Sequence, residues 1–176
     1  MKNVHWLAAT ALAVVTTGCT VRSLQPLYSE GDLAFEPGLL GVWRDKDSKD
    51  TWSIQRSGDR AYEIASSDSP GEKLEARLAR VGDRQFLDLT PKIFDEAFAV
   101  PAHVFVQVRL EGDVLHVALM DPAWLEKALA AKEATVPHLR LASGSVVLTA
   151  APKQLQQFLL RHAADPKAFS FSTLHR

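Results

Sequence analysis

Apolar and polar residues alternate with period two over three stretches: "TWSIQRSGDRAYEIASS" (51–67), "LEARLARVGDRQFLDLT" (74–90) and "HVFVQVRLEGDVLHVALM" (103–120). Each is broken near its centre by Gly-Asp, at Gly58-Asp59, Gly82-Asp83 and Gly112-Asp113. Alternation of this kind marks half-buried strands, and a glycine that tolerates positive φ beside an aspartate favours a primed hairpin turn. The register follows from the apolar face. A two-residue loop at Gly112-Asp113 sets Leu110 against Leu115, Val108 against Val117 and Val106 against Leu119, with Arg109 and His116 together on the opposite face. At Gly82-Asp83 the same rule pairs Leu78 with Leu87, Ala76 with Leu89 and Arg77 with Asp88. A slip by one residue would mix the two faces in either hairpin. At Gly58-Asp59 a two-residue loop fails, because it opposes Ile54 to Glu63. A longer loop that includes Arg60 pairs Ile54 with Ile64 and Arg56 with Tyr62.

"GLLGVWRD" adds a short strand around Leu40 to Arg44. "MDPAWLEKALAAKE" predicts a helix, with Asp121 as its cap and Pro122 in its first position. "SGSVVLTAA" reads as a strand, "APKQLQQFLLRHAADP" as a second helix, and "AFSFSTL" as a last strand with Phe169 and Phe171 on one face. The fold class is therefore mainly β. About eight strands form an antiparallel meander that closes into a barrel or strongly curved sheet, with two helices in the C-terminal half.

The N-terminus has another pattern. Lys2 precedes an apolar stretch from Val4 to Val15, and small residues then lead to Gly18 and the chain's one cysteine, Cys19. This has the three regions of a secretory signal peptide and is too short to span a bilayer, which takes about 20 apolar residues. Gly18-Cys19 resembles the lipobox of bacterial lipoproteins, with Thr16 where that family usually has Leu. The resemblance implies cleavage before Cys19, acylation of its thiol and new N-terminus, and anchoring on a membrane. Thr20, where Asp typically retains enteric lipoproteins at the inner membrane, implies the outer membrane and its periplasmic face. The expected organisation is a signal peptide over 1–18, a lipidated N-terminus and tether over 19–37, and one β-rich domain over 38–176.

Of 20 Lys and Arg, Lys2 alone lies in residues 1–18, so 19 remain against 21 acidic residues, a net charge of −2. That balance supplies no basic stripe for nucleic acid. With Cys19 committed to lipid, no cysteine is left for a disulfide, a zinc site or a thiol nucleophile.

"GVW" at the first strand is similar to the G-x-W of lipocalin-like proteins, and the resemblance places Trp43 as the plug at one end of an up-and-down barrel. "LQPLYSEGDLAFEPGLLGVWRD", "VPAHVF", "DPAWLEKAL" and "LTAAPKQLQQFLLRHAAD" resemble blocks of an uncharacterised bacterial lipoprotein family. "SGDRAY" resembles, with one extra residue, the S-G-x-x-Y segment of membrane-bound lysozyme inhibitors, although the Gly-Asp turn already accounts for it.

Candidate chemistry is sparse. His103 reads either as a mouth residue beside Asp95 and Glu96, fit for acid–base or metal work, or as a partly exposed strand histidine. The lack of a second histidine at ligand spacing favours the latter. His162, at the edge of the second helix's apolar face, reads as a packed, hydrogen-bonded residue whose charge the helix C-terminus favours. "PKIFDEAFAVP" (91–101) reads either as a lid over a barrel mouth or as a connection whose Phe94 and Phe98 cap the core, the latter favoured. Neither a nucleophile elbow nor a phosphate loop occurs. The sequence thus suggests no enzyme and no cofactor. It suggests an envelope lipoprotein that binds a small apolar ligand or an envelope protein, with Trp43, Phe94, Phe98 and His103 as ligand-contact candidates. The rivals are an assembly or structural factor with a filled barrel and an inhibitor of a cell-wall hydrolase.

Overall fold

The computed structural model describes residues 20–46, 48–92 and 102–176. The elements in chain order are β1 (Arg22–Ser23), β2 (Leu33–Ala34), β3 (Gly41–Asp45), β4 (Thr51–Arg56), β5 (Tyr62–Ser66), β6 (Lys73–Val81), β7 (Arg84–Pro91), β8 (His103–Glu111) and β9 (Val114–Met120). After them come α1 (Pro122–Ala130), β10 (His138–Arg140), β11 (Val146–Leu148), α2 (Pro152–His162) and β12 (Phe169–His175). Strands β3 to β9 pair in sequence order, β12 pairs with both β9 and β3, and a closed 8-stranded antiparallel barrel results. Closure removes the sheet edges that would otherwise invite pairing with another chain.

All three expected registers are present. Val108 faces Val117 and Leu110 faces Leu115 in β8–β9; Leu78 faces Leu87 and Arg77 faces Asp88 in β6–β7; Ile54 faces Ile64 in β4–β5. Gly82 and Gly112 have φ of 60° and 59°, while neither following aspartate has positive φ, which is the signature of a II′ turn. The longer β4–β5 loop closes with Ser57 N–H donating to Ala61 O at 3.0 Å.

Two apolar cores share the sheet. Inside the barrel, Trp43, Tyr62, Ala76, Leu78, Leu87, Val106, Val117 and Leu174 pack together. Outside it, α1 and α2 cover Ala79, Val81, Phe86, Phe105, Ala118 and Met120 on β6 to β9. Those strands must be apolar on both faces there, which accounts for the near-continuous runs "VFV" at Val104–Val106 and "VALM" at Val117–Met120. Phe169 and Phe171 do share a strand face, but only Phe169 is buried; Phe171 is exposed.

Helix α1 starts as expected, Asp121 Oδ1 accepting from Ala123 N–H at 2.7 Å and Trp124 N–H at 3.1 Å. The expected tether is corrected. From Thr20 onward the chain belongs to the fold: β1 lies between β8 and β11, Leu27 and Leu39 are buried, and β2 pairs with β6. The turn-rich composition of this segment hid its role, because its strands are two residues long and too short to show a period. The same brevity hid β10, which contains His138.

Candidate functional site

Two structured regions sit at opposite ends of β8. At the Glu111 end, Trp43 is fully buried and its indole N–H donates to Leu39 O at 2.8 Å. The Arg176 guanidinium lies over the ring and donates to Gly38 O and Leu40 O at 2.6 and 3.1 Å. Trp43 therefore plugs this end of the barrel and is held from both sides. Nearby, Tyr62 accepts from Glu36 N–H at 2.7 Å and stacks on Phe35, and burial pushes its phenol pKa up.

At the other end, the N-terminal strap crosses the outer face of β7 and β8. Asp88, on β7, has a side chain only 1% exposed, and both carboxylate oxygens are occupied. Oδ2 accepts from Leu27 N–H at 2.8 Å, and Oδ1 lies 2.6 Å from His103 Nδ1. The Leu27 carbonyl accepts from Gln156 Nε2 of α2 at 2.8 Å, and the same amide group donates to Asp32 at 3.0 Å. One residue of the strap is thus gripped through its N–H by the barrel and through its C=O by a helix. Burial raises the Tyr28 phenol pKa, Arg77 opposing and Asp88 and Glu75 adding to the shift.

His103 is thus the partly exposed strand histidine expected, its side chain 13% exposed, and it faces Asp88 on the barrel's outer wall. Asp95 and Glu96, its expected neighbours, lie outside the described residues, as do Cys19, Phe94 and Phe98. Sequence reasoning put Asp88 opposite Arg77 and assigned it no further role. The available signal was a lone acid inside the otherwise apolar "FLDL". With both oxygens engaged, the pair acts as a clamp on the strap. Among the described residues, no group of three or more His, Cys, Asp or Glu could hold a metal ion.

His162 is packed as expected but departs from expectation in its bonding and its charge. Its ring packs between Trp124 and Phe158, at 4.9 and 5.1 Å between centroids, and Nε2 is buried without a hydrogen-bond partner. Burial lowers its pKa, Arg161 adding to the effect and Asp165 opposing it, so desolvation outweighs the helix terminus.

An open groove of about 410 Å³ follows the β6–β7 turn and carries Arg80, Arg84 and Arg109. Two of these are engaged: Arg109 pairs with Glu111, and Arg84 lies 3.9 Å from Asp83. The groove can attract anions but has no buried polar group to fix one.

Comparison with protein-family models, with characterised proteins and with solved structures gives no match for this chain.

Proposed function

We propose that this chain is a lipid-anchored protein of the bacterial envelope, attached through Cys19, whose filled barrel is a rigid scaffold that works through its outer surface. The carrying observation is the burial of the barrel's inward side chains. Trp43, Tyr62, Ala76 and Leu78 are at 0%, and Trp52, Ile54, Ile64, Leu87, Val106, Val117 and Leu119 are at 2–8%, while Leu74 and Leu110, near the ends of their strands, are partly buried against the same core. Side chains that border a ligand-sized space retain accessible surface toward it; these touch one another instead. The signal-peptide pattern, Cys19 and the absence of Asp after it support an outer-membrane location facing the periplasm.

The test is intact-mass measurement of the full chain made in an envelope-competent bacterium and released in detergent. The expected mass is that of the cleaved chain plus acyl groups on Cys19, with nothing further bound. Cys19→Ala should abolish incorporation of labelled fatty acid and release the protein from membranes. A reproducible additional adduct of a few hundred daltons, extractable by solvent, would replace the scaffold with a carrier of small apolar ligands.

A further inference from the structure

Five large apolar side chains are exposed among the described residues, and three of them, Leu24, Leu139 and Leu141, belong to one small piece of sheet. In that piece β1 runs parallel to β11, and β10 runs antiparallel to β11 on its far side. Its two faces can be told apart by register. Val146 and Leu148 point inward to α2, joining the core of Leu155, Phe158 and Leu159. Ser23, paired with Leu148, is likewise buried, so Arg22 and Leu24 point outward. Leu139 is paired with Val147, between the two inward residues, and points the same way as Arg22 and Leu24; Val147, between Arg22 and Leu139, is itself buried at 7%. Leu141 is two residues further along and donates its N–H to Ser145 O at 2.9 Å. The result is an outward apolar face with Leu24 39%, Leu139 54% and Leu141 44% exposed.

Two further observations select its occupant. First, Cys19, the anchored residue, immediately precedes this face in the chain. Arg22 opens β1 three residues after Cys19, so even a fully extended chain separates them by at most about 11 Å. Second, the strands and turns that build the face carry Arg22 and Arg140 and no acid: neither residues 20–29 nor residues 134–152 contain Asp or Glu. In a chain whose charges otherwise nearly balance, this is an apolar patch with a positive border, the composition that suits the interface of an anionic bilayer.

We infer that the face of β1, β11 and β10 turned away from α2 is a membrane-docking surface that seats Leu24, Leu139 and Leu141 among the headgroups of anionic phospholipid. The inference rests on Cys19 as the anchored residue, and it adds an orientation: the barrel lies against the bilayer through this face instead of swinging on a tether.

The test uses the full acylated chain in vesicles of phosphatidylethanolamine and phosphatidylglycerol, carrying a thiol-reactive fluorophore at Leu139→Cys or, as reference, at Phe171→Cys on exposed β12. An acylated Cys19 takes no fluorophore, so labelling of the unsubstituted chain reports failure of the anchoring reading separately. The expected result is quenching by brominated lipid at position 139 and not at 171. Leu24→Ser with Leu141→Ser should abolish that quenching without lowering the thermal midpoint, since both side chains are on the surface. Replacing phosphatidylglycerol by phosphatidylcholine should weaken it. Equal access of aqueous iodide to both labels in an acylated protein would overturn the proposal. So would protection of position 139 from iodide without quenching by lipid, since a protein would then be covering the face.

Discussion

The Arg176 guanidinium carbon lies 4.7 Å from the centre of the Trp43 ring. The same side chain donates to the carbonyls of Gly38 and Leu40, and its backbone N–H donates to Asp113 O at 3.1 Å. One residue therefore joins β12, the turn before β3 and the β8–β9 hairpin at the plugged end. Arg176→Ala removes a cation–π contact and two hydrogen bonds to carbonyls, together about 1–3 kcal/mol. Urea unfolding should register that loss. Trp43→Ala should cost more, about 3–5 kcal/mol, because it opens a cavity in a filled interior.

The strap depends on Asp88. Asp88→Ala leaves the Leu27 N–H without its acceptor and His103 without its partner, at a cost of about 2–4 kcal/mol. Amide exchange separates a local from a global effect. The Leu27 amide should lose protection by a larger factor than amides of β4 and β5, since the clamp is remote from those strands. Equal loss everywhere would show that the strap and barrel unfold as one unit.

The two II′ turns should respond differently to the same substitution. Gly112→Ala meets open space and carries only the backbone penalty at φ 59°, about 1–2 kcal/mol. Gly82→Ala has the same backbone problem, and its added Cβ would also lie 3.3 Å from Leu160 Cδ1 of α2. Gly82→Ala should therefore be the more destabilising of the two in parallel denaturation curves.

His162 introduces a pH dependence. Its folded-state pKa lies below the ordinary 6.5, chiefly because of burial. The folded state thus resists a proton that the unfolded state accepts. Its contribution is fully present above pH 6.5 and declines as pH falls from there toward the lowered folded value. His162→Phe keeps a ring between Trp124 and Phe158 and removes the proton site. The variant should lose less stability than the parent between pH 7 and pH 5, measured by thermal midpoint.

The sequence by itself determined the strands of the barrel and their register. Alternation of Val, Leu and Ile about a Gly-Asp turn is a local property, and only one alignment keeps one face apolar, as Val108–Val117 and Leu78–Leu87 demonstrate. It also supplied the helix start at Asp121-Pro122, where capping is written into adjacent residues. The tertiary structure decided what the remaining polar residues do. Leu27 meets Asp88 across 61 positions, Gln156 reaches Leu27 across 129, and Arg176 reaches Gly38 across 138. None of these pairs leaves a periodic trace, because each partner is one residue in a segment without repeat. The same holds for the docking face. Leu24, Leu139 and Leu141 are unremarkable singly in sequence, and only the pairing of β11 with β1 and β10 gathers them onto one surface.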